Sequence, residues 1–394
     1  MRILHVIPYF YPAWAYGGTC RAAWEVARAT ARRGHEVVVC TTDAFDSRRR
    51  ASPPSELAEG IEILRSANLS NWLAWNRLFL PLTFEFDLKR ELGRADVIHL
   101  HEYRSFQNAV ALPAIERARK PYILTAQGSV PLLLGRFALK HLYDATTGRR
   151  LIARACRLHA LNTMEKKQFI GAGGRPEKIF VAPNCISVEE YRILPMKNDF
   201  RATNSIPPDA PLVLFLARLN KIKGVDFLLA AFAKAAREMP EAMLALVGPD
   251  DGYLAEARRR MRELGIEEKT RYIGYLSGED KLQAYLSADL YVLPSTYEIL
   301  GITLLEALAC RAPVITTDRC GLSDTIERQR LGSVVKFGDV EALAAQMTQA
   351  LLNREALRGD GERRRNYVLN NFNWDTIADT WETIYRQCAE LRRK

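Results

Sequence analysis

The chain has no C-x-x-C pair, no D-x-D, and no apolar run near the eighteen or so residues that a membrane-spanning helix needs. Its start, "MRILHVIPYFYP", lacks the long apolar region and small-residue cleavage site of a secretory signal, so the expected location is the cytoplasm. The cysteines (Cys20, Cys40, Cys156, Cys185, Cys310, Cys320 and Cys388) are odd in number and scattered. That argues against a disulfide framework or a zinc site and for reduced thiols. Zinc-finger spacing, an aromatic RNP run and a heptad with a basic arm are all missing, so nucleic acid is not an expected partner. The formal net charge of +10 also suits anionic lipid or a phosphorylated ligand, and alone does not choose. There is no short-period repeat and no low-complexity tract.

What is present is an ordinary globular composition, 48% hydrophobic and 26% charged, over 394 residues, long enough for two domains. Short β-branched or leucine-rich runs alternate with longer amphipathic ones. Strands are expected at 2–7, 36–41, 97–100, 122–124, 157–160 and 179–182. Between the first two, "TCRAAWEVARATARRGHE" carries apolar residues at helical spacing, with Gly34 as a stop. The polar, proline-bearing stretch 184–211 then breaks the pattern and reads as a linker. Beyond it strands are expected at 212–216, 243–247, 271–273, 290–293, 313–316 and 333–335, and a helix at the end. The expectation is two doubly wound α/β domains, 1–186 with about 376–394 and 211–375, joined by a linker at 187–210. Ligands in such sheets bind beyond the carboxyl ends of strands, here in a cleft between the domains.

Four strand ends carry unusual chemistry. After the first strand, Gly17-Gly18 precedes a helix, where a glycine backbone can approach a phosphate closely; a flexible turn is the plain alternative. In "LVLFLARLNKIKGVDFLLAAF", Arg218 and Lys223 follow a buried strand and can hold a diphosphate, or be solvated loop cations. In "MLALVGPDDGYL", Gly248 ends a strand, as it would in any strand-to-helix turn. In "STYEILGITLLEALA", Glu298 lies above a helix start near Leu300, Gly301 and Ile302, and Glu306 about two turns in. Eight helical residues span at most about 12 Å, the length of a nucleotide sugar from hexose to ribose. Glu306 can accept from ribose hydroxyls, the helix start can take phosphate, and Glu298 can grip the sugar. Alternatively Glu298 caps the helix and Glu306 is a surface residue. Against that, Glu306 has apolar neighbours in sequence, where a charge needs a partner.

With these residues the chain resembles retaining nucleotide-sugar glycosyltransferases of the GT-B fold, family 4. The likeness runs through "YGGTCRAAWEVARATARRGHEVVVCTT", "ADVIHLHEYRSFQN", "FVAPNCI", "LARLNKIKGVDFLLAAF", "LALVGPDDGYL", "YIGYLSGEDKLQAYLSADLYVLPSTYE", "LLEALACRAPVITTD" and "FNWDTIADTW". The resemblance implies that Arg218 and Lys223 neutralise the donor diphosphate, Glu306 binds the ribose, and Glu298 contacts the donor sugar near the reacting carbon. It implies that Gly17-Gly18 closes over the phosphates, that the strand end at Gly274-Tyr275 meets the base, and that the last helix crosses back to the first domain. The implied donor is UDP- or GDP-linked; the acceptor is a glycan or a lipid-linked molecule in envelope or exopolysaccharide synthesis. Without D-x-D, no essential divalent metal is expected. Three positions depart from the family pattern: Gln127-Gly128 replaces His-Gly, Glu298-Ile299-Leu300-Gly301 replaces E-G-F-G, and Cys185 replaces the glycine of P-N-G. Glutamine cannot act as a base near neutral pH.

The acceptor is expected on the first domain, where "HLHEYRSFQN" puts His101, Glu102 and Arg104 at a strand end, with His101 facing the cleft. The aromatic stretch 68–86, with Arg48–Arg50 upstream, reads as an amphipathic cover helix on the sheet or as a membrane-surface contact. Rival readings are a non-catalytic nucleotide-sugar binder, a sugar-nucleotide epimerase, and a phosphorylase, though no pyridoxal-lysine context is evident.

Overall fold

Strands that are apolar along their whole length demand cover on both faces, and parallel sheets supply it. The computed structural model describes residues 1–132, 137–196 and 199–391. It divides into two units, Met1–Cys185 with Trp374–Lys394, and Ile186–Asn373. The first is built on β1 (Arg2–Val6), β2 (Glu36–Thr42), β3 (Ser55–Ala58), β4 (Ile61–Ser66), β5 (Val97–His101), β6 (Tyr122–Thr125), β7 (Arg157–Ala160) and β8 (Ile179–Val181), in the order β3-β4-β2-β1-β5-β6-β7-β8. The second contains β9 (Leu212–Leu216), β10 (Met243–Val247), β11 (Thr270–Gly274), β12 (Leu290–Leu293), β13 (Val314–Thr317) and β14 (Gly332–Val335), in the order β11-β10-β9-β12-β13-β14. Neighbouring strands are parallel except β3, which runs antiparallel to β4 at the edge. β1, β9, β10 and β12 are buried at every residue.

Each expected strand forms within two residues of its expected ends. The hairpin β3–β4 was not expected. Its turn is Glu59-Gly60, both at positive φ (46° and 82°), as a tight hairpin connection requires. The expected linker is also corrected, because its described part is folded into the second unit. It carries the short helices Val188–Arg192 and Phe200–Thr203, with Tyr191 and Phe200 buried. Arg365 donates to the carbonyls of Tyr191 (2.5 Å) and Arg192 (3.2 Å), and Arg201 pairs with Asp289 at 3.1 Å. Polar and proline content resembled a linker, but two aromatic anchors decide the outcome. Among the described residues no helix is long and apolar enough to cross a membrane.

The last helix, Trp374–Glu390, belongs to the first unit, where it covers β5 and β7. Trp381 lies tilted against His99 and edge-on to His159, and the Tyr385 hydroxyl meets His99 Nδ1 at 2.7 Å. Cys388 on this helix forms a disulfide with Cys156, which corrects the expectation of reduced thiols throughout. The partners are 232 residues apart, and only the return of the chain brings them together.

Under the helix lies a row of buried imidazoles. His5 Nδ1 meets His101 Nε2 at 3.0 Å, His99 Nε2 meets Thr125 Oγ1 at 2.7 Å, and that hydroxyl meets His159 Nδ1 at 3.1 Å. Burial lowers the pKa of His5 to about 3 and of His159 to about 4. Burial, then the neighbouring imidazoles, holds His99 and His101 well below the ordinary value. These four imidazoles therefore take up protons below about pH 6.5 in the unfolded chain but not in the native one. The contribution of these histidines to the stability of the first unit is expected to be level above that pH and to fall beneath it, by on the order of 1 kcal/mol per histidine per pH unit. It is offset only in part by Glu165, whose raised pKa of about 7 acts in the opposite sense. Denaturant titration near pH 7.5 and near pH 5.5 checks this, and equal midpoints would contradict it.

Candidate active site

The second unit gathers its chemistry at the carboxyl ends of β9, β10, β11 and β12. Past β12 the chain turns through Pro294 and Ser295. The Glu298 amide donates to the Arg319 carbonyl (3.0 Å), and its own carbonyl accepts from Gly321 N (2.8 Å), so the stretch after β12 is clamped to the one after β13. The stretch after β9 is clamped from the other side, where Thr296 N donates to Ile222 O at 2.8 Å. Gly224, at φ 70°, makes this approach possible, since a Cβ there would lie 2.0 Å from the Pro294 oxygen. Asn220 Oδ1 accepts from Lys223 N at 3.2 Å and shapes the turn before it.

The result is a 2.5 Å ion pair between Lys223 Nζ and Glu298 Oε2, its side chains 19% and 14% exposed. Glu298 is thus a paired and shielded carboxylate. Next to it Gly301, at φ 86° and ψ 58°, caps the helix Ile302–Ala309. Its missing Cβ would lie 2.8 Å from Leu304 Cδ1 and 3.3 Å from Glu298 Cγ. Leu300 is buried, and Tyr291 of β12 ties the first helical turn to β9 through Thr303 Oγ1 (2.7 Å) and Leu216 O (3.1 Å). A helix start held this way presents amide groups and a partial positive charge.

Arg218 follows β9 and ion-pairs with Asp251, whose Oδ2 also accepts from Asn220 Nδ2 at 2.9 Å. Gly248 ends β10 at φ 138°, and a Cβ there would sit 1.9 Å from Ala217 O, so the exits of β9 and β10 touch only because this residue is glycine. Tyr275 follows β11 and is exposed. Glu306 lies deeper. Its Oε1 accepts from Lys281 Nζ and its Oε2 from the Tyr285 hydroxyl, each at 2.9 Å. The partner its burial requires is therefore supplied within the unit. Asp251, Lys281 and Tyr285 escaped the sequence reading, although Lys281 and Tyr285 stand four apart in "GEDKLQAYL", on one helix face.

In the first unit, Gly17 (φ 98°) caps the helix Gly18–Arg32, and a Cβ at either glycine would meet nothing within 4 Å. Gln127 stands at φ 54° and its Oε1 accepts from Asn184 Nδ2 at 2.7 Å. Gly128 N donates to Glu165 Oε1 at 2.6 Å, and Leu161 N to Oε2 at 2.8 Å. Burial outweighs those two amides and raises the Glu165 pKa to about 7. Glu165 was missed too, although Asn162 and Glu165 form the spacing of a capping box.

The expectation that His101 faces a cleft is corrected. Strand alternation puts it on the same face as His99, stacked at 4.0 Å and 1% exposed. Glu102, at φ 62°, bonds the Tyr9 hydroxyl, and burial raises its pKa. Arg104 is bound to Asp144 (2.6 Å) and to the carbonyls of Ser129 (2.5 Å) and Val130 (2.9 Å). All three are engaged within the unit and secure the turn after β5.

Both units match known families. Residues 196–372 match the family described as glycosyl transferases group 1, and residues 17–185 match the glycosyl transferase 4-like domain. The chain belongs to the group 1 glycosyltransferases. It is 25% identical to an uncharacterized glycosyltransferase of Methanocaldococcus jannaschii, over 98% of each chain. The structure is similar to sucrose-phosphate synthase from Thermosynechococcus elongatus, with TM-score 0.78 and 21% identity over 99% of each chain. It is also similar to Anabaena HepE, solved in complex with UDP-glucose, with TM-score 0.73 and 19% identity over 99% of each chain. The fold is that of the GT-B glycosyltransferases.

The two close approaches at glycine predict a cost for any side chain. Gly224→Ala and Gly248→Ala are each expected to lower stability by about 1–3 kcal/mol or more and to reduce transferase activity. Gly93→Ala, in open space, is expected to do neither. Thermal unfolding of the three variants checks this; wild-type melting in Gly224→Ala would contradict the clamp between the two loops.

Proposed function

We propose that this glycosyltransferase moves a hexosyl group, with retention at the anomeric carbon, from a UDP- or GDP-linked sugar to a glycan or lipid-linked acceptor in cell-envelope or exopolysaccharide synthesis. The observation that carries the reading is the Lys223–Glu298 pair set beside the glycine-capped helix start, with Arg218 on the same β9 exit as Lys223. Breaking the sugar–phosphate bond builds negative charge on the departing diphosphate and positive charge on the sugar ring. Arg218, Lys223 and the amides at Gly301 and Ile302 suit the first; the Glu298 carboxylate, near the sugar hydroxyls and ring, suits the second. These cations do the work that a D-x-D-bound metal would do, so no divalent ion is needed. The complex of HepE with UDP-glucose supports a UDP-sugar donor.

Gln127 supplies no base, so the acceptor proton passes to the leaving phosphate on the same face, which preserves configuration. The same residue favours a second reading, a binder without turnover. Release of free UDP or GDP from a panel of donor sugars separates the two. Glu298→Gln and Arg218→Ala are each expected to lower turnover by about 10²–10³ with folding intact, and chelation with EDTA to leave the rate unchanged. Full activity in either variant would overturn the site, and loss of activity on chelation would overturn metal independence.

For the acceptor side the first unit offers an exposed apolar set. Leu69, Trp72, Leu82 and Phe86 project from 68–86, with exposed Arg48 and Arg49 nearby in sequence. The expected cover helix is two short helices, Asn71–Trp75 and Phe84–Leu92; the second buries Phe84, Leu88 and Leu92 while Phe86 faces out. Aromatic and basic residues together suit an anionic membrane surface bearing a lipid-linked acceptor. Binding to anionic vesicles is expected to weaken with added salt and to be lost in Trp72→Ala/Phe86→Ala. No sedimentation with vesicles would remove the membrane from the proposal.

A further inference from the structure

Glu306 has a support that the donor reading does not use. Four side chains from three elements of the second unit meet at its carboxylate: Lys281 and Tyr285 on the helix Gly278–Ser287, Tyr191 on Val188–Arg192, and Glu306 itself on Ile302–Ala309. All are buried. Lys281 Nζ donates to Glu306 Oε1 (2.9 Å) and to the Tyr191 hydroxyl (3.2 Å), while the Tyr285 hydroxyl donates to Oε2 (2.9 Å). The ammonium also lies 5.7 Å from the centre of the Tyr191 ring, and Glu190 Oε2 is 3.9 Å from it. Each carboxylate oxygen therefore has its own donor, one charged and one neutral. A carboxylate held at both oxygens cannot rotate about its last bond without losing a buried hydrogen bond.

We propose that Lys281 and Tyr285 are positioning residues for donor recognition: they lock the Glu306 carboxylate in the orientation that receives the ribose of the nucleotide sugar. The inference rests on the reading of Glu306 as the ribose acceptor. Neither residue touches the reacting carbon, so their loss should weaken donor binding and spare the chemical step. The tyrosines stay protonated donors, since burial, then the charge of Glu306, pushes both well above the ordinary phenol value. The arrangement is sterically specific as well. Lys281 supplies a point charge on a flexible stem, anchored by Tyr191; a guanidinium at that position would need more room and a second acceptor.

The test uses the whole enzyme with the best donor from the nucleoside-sugar panel and its 2′-deoxyribose analogue. Tyr285→Phe removes one hydroxyl and little volume, so it keeps the test sound if Lys281→Met does not fold. In Tyr285→Phe, donor KM is expected to rise by about tenfold, the worth of one hydrogen bond to a charged group, with kcat within about twofold of wild type. Lys281→Met is expected to raise KM further. In both, the wild-type preference for the ribose donor over the 2′-deoxy donor should shrink, a readout that general loosening of the fold would not move. Lys281→Met/Glu306→Gln, which removes both charges together, is expected to bind donor no worse than Glu306→Gln alone. Unchanged KM and unchanged 2′-deoxy discrimination in Tyr285→Phe and Lys281→Met, with Glu306→Gln impaired in both, would overturn the positioning role alone. If Glu306→Gln also shows wild-type discrimination, the ribose reading fails and the inference falls with it.

Discussion

The candidate site depends on the contact between the turn after β9 and the turn after β12. Two backbone segments meet there at a distance that only a glycine at 224 allows, with a hydrogen bond from Thr296 to Ile222 closing it. Everything chemical at the site follows from that approach. It sets Lys223 against Glu298, and it fixes the start of the helix Ile302–Ala309 relative to β9. The clamp from the other side, through Arg319 and Gly321, leaves the Glu298 backbone little freedom. A carboxylate on a loop is thereby held nearly as firmly as one on a strand, which electrostatic catalysis requires because its groups must be in place before charge develops.

Much of this was legible in the chain. Strands buried on both faces read as uninterrupted apolar runs, and residues such as Leu212–Leu216 and Met243–Val247 could belong to little else. Glycines at strand ends, and cations or acids just beyond them, fall along one edge because a parallel sheet puts all its carboxyl ends there. What escaped was of two kinds. One was pairing: neither the link between Cys156 and Cys388 nor the ion pairs of Arg218 with Asp251 and Glu306 with Lys281 leave a trace in local pattern. The other was the side a strand residue faces. His99 and His101 look alike at a strand end, and only the return of Trp374–Glu390 onto that face turns them into core. The linker failed for a related reason, since Tyr191 and Phe200 outweigh the polar residues around them.

The two acids of the E-x7-E spacing differ in ways that spacing alone could not express. Glu298 sits on a turn, partly open, against a lysine with one visible partner. Glu306 sits in the helix interior, against a lysine that is itself anchored by a tyrosine. Breaking a buried pair leaves an uncompensated charge and costs more than breaking an exposed one. Glu306 therefore contributes to the fold of the second unit as well as to any ligand contact, whereas Glu298 can be changed with less effect on folding. Activity lost on changing Glu298 is accordingly the cleaner statement about chemistry.

Three cations of the second unit are paired within it: Arg218 with Asp251, Lys223 with Glu298, and Lys281 with Glu306. A diphosphate arriving at Arg218 and Lys223 on the proposed reading meets cations that already have carboxylate partners. Binding is then an exchange of partners. For Arg218, which is 40% exposed beside an equally exposed Asp251, the exchange costs little because water screens the pair that is given up. For Lys223, shielded with Glu298, it costs more, and the loss is offset only if Glu298 finds sugar hydroxyls at the same moment. A nucleoside diphosphate without its sugar would leave Glu298 with no such replacement. On the proposed reading the pair couples recognition of the sugar to neutralisation of the phosphates, and it favours the intact donor over the spent nucleotide that must leave.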